Sequence, residues 1–84
     1  MKKKTAGQLD NLLAAARKSW SGEVRGLPAN PELRSQCIRI GLSVGERFTC
    51  IERLPGGTIV VQAHRQEIAI GKNLAKEIDV EFDQ

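Results

Sequence analysis

The chain has no tyrosine and only three aromatic side chains in 84 residues, Trp20, Phe48 and Phe82. A core without aromatic bulk has to be built from leucine, isoleucine and valine. A surface with so few rings also gives little for nucleic-acid bases to stack on. Histidine occurs once, at His64, and cysteine twice, at Cys37 and Cys50. Two cysteines make no disulfide framework, and neither a C-x-x-C nor an H-x-x-x-H spacing is present. Long apolar runs are missing too. Leu12–Ala16 is too short for a secretory h-region and far too short to cross a bilayer. These shortages lead us to expect a soluble, thiol-reduced, cytoplasmic protein.

Apolar residues make up 40% of the chain and charged residues 27%, an ordinary globular balance sufficient for one small domain. The net charge is +3, unevenly spread. Residues 1–41 hold eight Lys/Arg against three Asp/Glu, and residues 42–84 hold five against seven. The run Lys2-Lys3-Lys4 leads the positive half, as a solvated start or as an attraction for an acidic partner.

Thr5 and Gln8 have capping-box spacing, and Leu9, Leu12, Leu13 and Ala16 recur at helical spacing. This predicts a short amphipathic helix over 6–17, within a basic N-terminal segment 1–18 that precedes a domain over 19–84. Trp20–Leu27 reads as a strand whose glycines mark a bulge or a close backbone approach. Asn30-Pro31-Glu32 is a helix start: a cap, a proline suited to the first turn, and a carboxylate at the positive helix end. Leu33, Cys37 and Ile40 share one face of that helix, and Gly41 stands where a left-handed residue ends it. After the turn Leu42–Gly45, Phe48 and Cys50 alternate with polar neighbours in a strand over Glu46–Leu54. Pro55-Gly56-Gly57 turns the chain into a β-branched strand, Thr58–Ala63. A polar connection, His64–Gln66, leads to the strand Ile68–Ile70. One helical turn over Asn73–Glu77 then precedes a closing strand, Asp79–Phe82. A sheet this small has exposed edges unless it closes on itself. The expected fold is therefore mainly β: a small SH3-like barrel of about five strands with one or two short helices.

Over residues 31–82 the ordered set of these parts resembles the FeoA-type ferrous iron transport protein A domains. The resemblance rests on Leu33-Arg34 running to Ile40-Gly41-Leu42, the Gly-Leu-x-x-Gly turn of Gly41, Leu42 and Gly45, and the strand with Phe48 and Cys50. It continues through Pro55-Gly56-Gly57, Ile68-Ala69-Ile70 and the ending Ala75-x-x-Ile78-x-Val80. Members often carry a glycine before the Ile-Ala-Ile strand, where this chain has Arg65 and Gln66. The resemblance implies a non-enzymatic cytoplasmic accessory protein of bacterial ferrous iron uptake. Its implied partner is the permease FeoB, with its GTP-binding cytoplasmic domain, so the membrane would be met only through the permease. Self-association in a weak homo-oligomer is compatible with this reading. Two alternatives from other classes remain: a transition-metal-binding regulatory domain like the C-terminal barrel of iron-dependent repressors, and a small basic barrel that binds nucleic acid.

An iron-transport resemblance directs attention to metal ligands, with Fe(II) or another divalent metal as the cofactor in question. The candidates are His64, Cys37, Cys50, Glu52 and Glu67. A firm site gathers three or four donors, whereas His64 with Glu67 supplies two. The cysteines read as small core hydrophobes. Four serines are available, but a single histidine has no spacing that links it to any of them, so nucleophilic catalysis has no constellation. Pro55-Gly56-Gly57-Thr58 lacks the lysine and the opening helix of a phosphate loop. We expect no catalytic residue and no resident cofactor. Partner contacts are expected at Arg34, Arg39, Leu42, Ser43, Val44, Gly45, Pro55 and Gly56.

Overall fold

A computed structural model of the chain describes residues 11–83. Five antiparallel strands form one sheet: β1 (Ser21–Gly26), β2 (Arg47–Arg53), β3 (Ile59–Ala63), β4 (Gln66–Ile70) and β5 (Asp79–Phe82), in the spatial order β4-β3-β2-β1-β5. Helix α1 (Pro31–Arg39) links β1 to β2, and the short α2 (Lys72–Ala75) links β4 to β5. The sheet bends at two irregularities. Register slips between Val24 and Gly26 against β5, and again between Cys50 and Glu52 against β3. Each slip sets an extra residue against its partner strand, and bulges of this kind increase twist and curl a small sheet into a barrel. The expected SH3-like barrel with five strands and two short helices is the fold observed.

The alternation read from the sequence fixes the inner face. Phe48 and Cys50 of β2, Ile59, Val61 and Ala63 of β3, Ile70 of β4 and Val80 of β5 are all buried. Leu13, Ala16, Val24, Leu42, Ala75 and Ile78 join them, and no polar or charged side chain is buried among the described residues. Each large aliphatic side chain removed from water in this way stabilises the fold by about 1.5–3 kcal/mol.

Helix α1 begins and ends as its sequence dictates. The Asn30 Oδ1 accepts hydrogen bonds from the backbone N–H of Glu32 at 2.8 Å and of Leu33 at 3.1 Å. At the other end Gly41 takes φ +93°. Its N–H donates to the Ile38 carbonyl at 3.1 Å, and the Leu42 N–H donates to the Cys37 carbonyl at 2.9 Å. These paired bonds form a Schellman motif, and its apolar contact is supplied by the buried Cys37 and Leu42.

The described part of the helix expected over 6–17 is different. It is a single turn of 3-10 helix, Leu13–Ala15, flanked by extended residues at Leu12 and Ala16. The reason is tertiary. Leu12 bridges to Asp79, the Leu13 N–H donates to the Ile78 carbonyl at 2.9 Å, and Leu13 and Ala16 enter the core. Arg53, at the end of β2, donates to the carbonyls of Ala14 at 2.7 Å and Ala16 at 3.0 Å. A helix would have kept those carbonyls and N–H groups for itself. The remainder of that expected helix, and Lys2–Lys4, lie outside the described residues.

Gly22 is required by a close approach. A Cβ there would lie 2.5 Å from the backbone oxygen of Glu81 and 3.1 Å from the Phe48 ring. Gly22→Ala is expected to force β1 and β5 apart and to destabilise the domain by about 2 kcal/mol or more, read as a lowered urea midpoint.

Candidate functional site

The surface around the C-terminal end of α1 is assembled from two separate pieces of sequence. Gly41 and the turn after it come from the α1–β2 connection, and His64 and Arg65 from the tip of the β3–β4 hairpin. His64 lies over Gly41: a Cβ on Gly41 would meet the His64 ring at 3.0 Å. The His64 Nε2 is 3.1 Å from the Gly41 carbonyl and 2.9 Å from the Glu46 Oε1. Both neighbours are acceptors, so Nε2 carries the hydrogen and the ring ties the hairpin to the end of α1. Both turn residues have positive φ, 55° at His64 and 66° at Arg65. This is the backbone of a two-residue type I′ hairpin, a conformation that asparagine and glycine adopt far more readily. The strained turn persists because the hairpin register and the His64 clasp fix it.

The sequence paired His64 with Glu67, but the structure gives it Glu46. Glu67 is an exposed residue of β4, opposite Gln62 of β3. His64, Glu46 and the Gly41 carbonyl bring one imidazole, one carboxylate and one carbonyl together. No group of three or more His, Cys, Asp or Glu able to hold a metal is found among the described residues. Cys37 and Cys50 are both free and buried, at 0% and 1% exposure, as core residues. Glu52 is an exposed residue of β2.

The residues expected to contact a partner fall into distinct classes. Arg34 and Arg39 are exposed on α1, and Pro55 and Gly56 are exposed in the β2–β3 turn. Val44 stands 59% exposed, Gly45 is exposed and Ser43 is half-buried. Leu42 is completely buried and presents nothing to a partner, because as the residue after Gly41 it closes the Schellman motif. The sequence reading missed Ile38, which is 51% exposed on α1 four residues after Arg34. The i, i+4 spacing places the two on one helix face, and an isoleucine off the Leu33–Cys37–Ile40 stripe was the available signal.

Two other surfaces stand out. Trp20 is 42% exposed and meets Phe82 edge-to-face at a centroid distance of 5.1 Å, with Phe82 in turn against Phe48 at 6.2 Å. A shallow groove also runs between α1 and the β4–α2 corner, with Leu33, Ile40, Ala69 and Leu74 along it. No helix among the described residues is long and apolar enough to cross a membrane.

Comparison with known proteins places this geometry. The family model described as the FeoA domain matches residues 12–82. A solved iron uptake regulatory protein, FeoA, aligns with a TM-score of 0.79 and 25% identity, covering 84% of this chain and 95% of that one. The Stenotrophomonas maltophilia FeoA complexed with zinc, described as a prokaryotic SH3 domain protein, aligns with a TM-score of 0.70 and 21% identity, covering 83% and 88%. A manganese-dependent transcriptional repressor aligns with a TM-score of 0.81 and 25% identity, over 87% of this chain and 41% of the repressor. A search of curated proteins returns no match.

Burial raises the pKa of both thiols above the ordinary value of 9.0, and at Cys50 the backbone of Glu52 and the nearby Arg53 oppose the shift without reversing it. The folded thiols therefore stay protonated where unfolded ones ionise. Stability is expected to be level below pH 9 and to fall as pH rises beyond it, in a series of urea melts. Thiol reagents are expected to label the cysteines only as fast as the domain opens. At the hairpin tip, Arg65→Gly is expected to relieve the positive φ and to stabilise the fold by about 0.5–1 kcal/mol, seen as a raised melting temperature.

Proposed function

The chain belongs to the FeoA domain family, and on that premise we propose that it is a non-enzymatic accessory protein of bacterial ferrous iron uptake that docks in the cytoplasm on the FeoB permease. Family membership across residues 12–82 carries the reading. The geometry supports it in a second way. The end of α1 offers Ile38 and Val44 as exposed aliphatic side chains, with Arg34 and Arg39 on the same helix as positive charges. An aliphatic centre bordered by cations is the composition of a docking patch for an acidic protein surface. Ser43 and Gly45 flank Val44 in this patch, while Pro55 and Gly56 belong to the separate β2–β3 turn.

The likeness to the manganese-dependent repressor favours a second reading, a metal-responsive regulatory barrel. In that case His64 and Glu46, with the Gly41 carbonyl, would be the donors. Anaerobic Fe(II) titration followed at the His64 ring separates the readings: perturbation at micromolar metal supports the regulatory barrel, and none below millimolar removes it.

The docking reading is tested by calorimetric titration against the permease's purified cytoplasmic domain, with and without guanine nucleotide. Binding in the micromolar range is expected. The double substitution Arg34→Glu, Arg39→Glu is expected to weaken it about tenfold or more, with a melting temperature close to that of the parent because both side chains are exposed. Absence of binding at tens of micromolar under both nucleotide conditions removes the reading.

A further inference from the structure

The two ends of the sheet are finished differently. The outer edge of β5 is covered where the strand begins: Leu12 bridges to Asp79, and the Leu13 N–H donates to the carbonyl of Ile78 just before it. At the other end, β4 pairs with β3 alone among the described residues. The hairpin register determines which backbone groups of β4 are left over. Ala63 pairs with Gln66 across the two-residue turn, so Gln66, Ile68 and Ile70 direct their N–H and C=O groups at β3. Glu67 and Ala69, the residues between them, direct theirs outward. Two donors and two acceptors, spaced as one strand presents them to the next, therefore line an open edge.

Proteins ordinarily blunt such an edge with proline, lysine, a bulge or a covering element. β4, with the sequence Gln-Glu-Ile-Ala-Ile, contains no proline and no lysine, its pairing with β3 runs without a register shift, and its one blunting charge is the exposed Glu67. Instead the edge passes into the groove beneath α1. Leu33, Ile40, Ala69 and Leu74 give that groove an aliphatic stretch beside the polar Gln36 and Asn73, and among the described residues Lys72 is the one charged side chain lining it.

From this we infer that β4 is a strand-acceptor edge, which takes an extended segment of the partner protein as a sixth strand. The open backbone groups require the occupant to be extended. The groove takes an aliphatic side chain from it, and Lys72, with no carboxylate in the lining to neutralise it, selects a segment that carries an acidic residue there. The inference rests on the docking reading and adds to it the conformation and chemistry of the segment that binds.

The test is amide hydrogen exchange of the full chain, alone and with the permease's cytoplasmic domain, resolved residue by residue. In the free protein the amides of Ile68 and Ile70 are expected to exchange slowly, and those of Glu67 and Ala69 quickly. In the complex the Glu67 and Ala69 amides are expected to slow about tenfold or more, while Ile68 and Ile70 change little. Ala69→Pro removes one outward donor without touching the β3 ladder, and is expected to weaken binding about tenfold. Should proline disturb the strand, Ala69→Lys places a charged blunting residue on the same edge and is expected to weaken binding likewise. A complex that leaves Glu67 and Ala69 in fast exchange overturns the strand-acceptor inference while the docking reading stands. Absence of any complex overturns both. Protection that grows with the protein's own concentration, before any partner is added, shows that a second copy covers the edge and overturns the assignment to a partner.

Discussion

A left-handed glycine at the end of α1 holds together parts of the chain that are far apart in sequence. Gly41 ends the helix, and its geometry drops Leu42 into the core immediately afterwards. Because it has no side chain, the tip of the β3–β4 hairpin can rest against it, with the His64 Nε2 on its carbonyl and on Glu46. One residue thereby fixes where α1 stops, how the α1–β2 turn is presented and where the hairpin stands. The exposed Ile38 and Val44 stand on either side of this junction in the chain. Any added Cβ would set the left-handed backbone and the histidine ring against each other, and no small movement relieves both.

The remainder of the fold answers a different constraint, that of a small core without aromatic bulk. Aliphatic side chains from β1, β3, β4 and β5 meet Phe48 and Cys50 of β2 on one concave face, and the two bulges supply the curvature needed to enclose them. Among the described residues no polar or charged side chain is buried with them. Function is left to the surface, in keeping with a family of accessory domains. The surface itself is asymmetric: the N-terminal turn covers one sheet edge at the start of β5, and among the described residues the other edge, at β4, is open beside a partly aliphatic groove. A sealed edge contributes to stability, whereas an open edge is available for recognition.

Much of this was legible in the residues. The caps of α1, the left-handed Gly41, the alternation of Phe48 and Cys50, the Pro-Gly-Gly turn and the order of the strands are local signals, each fixed by backbone chemistry within a few positions. In its described part, the segment ending near Arg17 departs from the helix that its leucine spacing suggests. Its N–H and C=O groups are instead taken by Ile78 and Arg53, which lie far along the chain. Leu42 was read as a contact from its place in a turn, but turn residues can point inward, and this one closes a helix cap. Glu46 as the partner of His64, and Ile38 as an exposed aliphatic, required the packed structure to be seen.

The sequence by itself determined the element types, the aliphatic core and the family, because caps, turns and the two periodicities are encoded over short stretches. Only the tertiary structure decided which strand edge is covered and which is open. It also decided which carboxylate meets the lone histidine, and which side chains around α1 face water. Those outcomes depend on contacts between residues tens of positions apart, and no local pattern specifies such contacts. The chain therefore announces a small curled sheet around an apolar inner face, while its packing sets which edges and side chains of that sheet stay exposed.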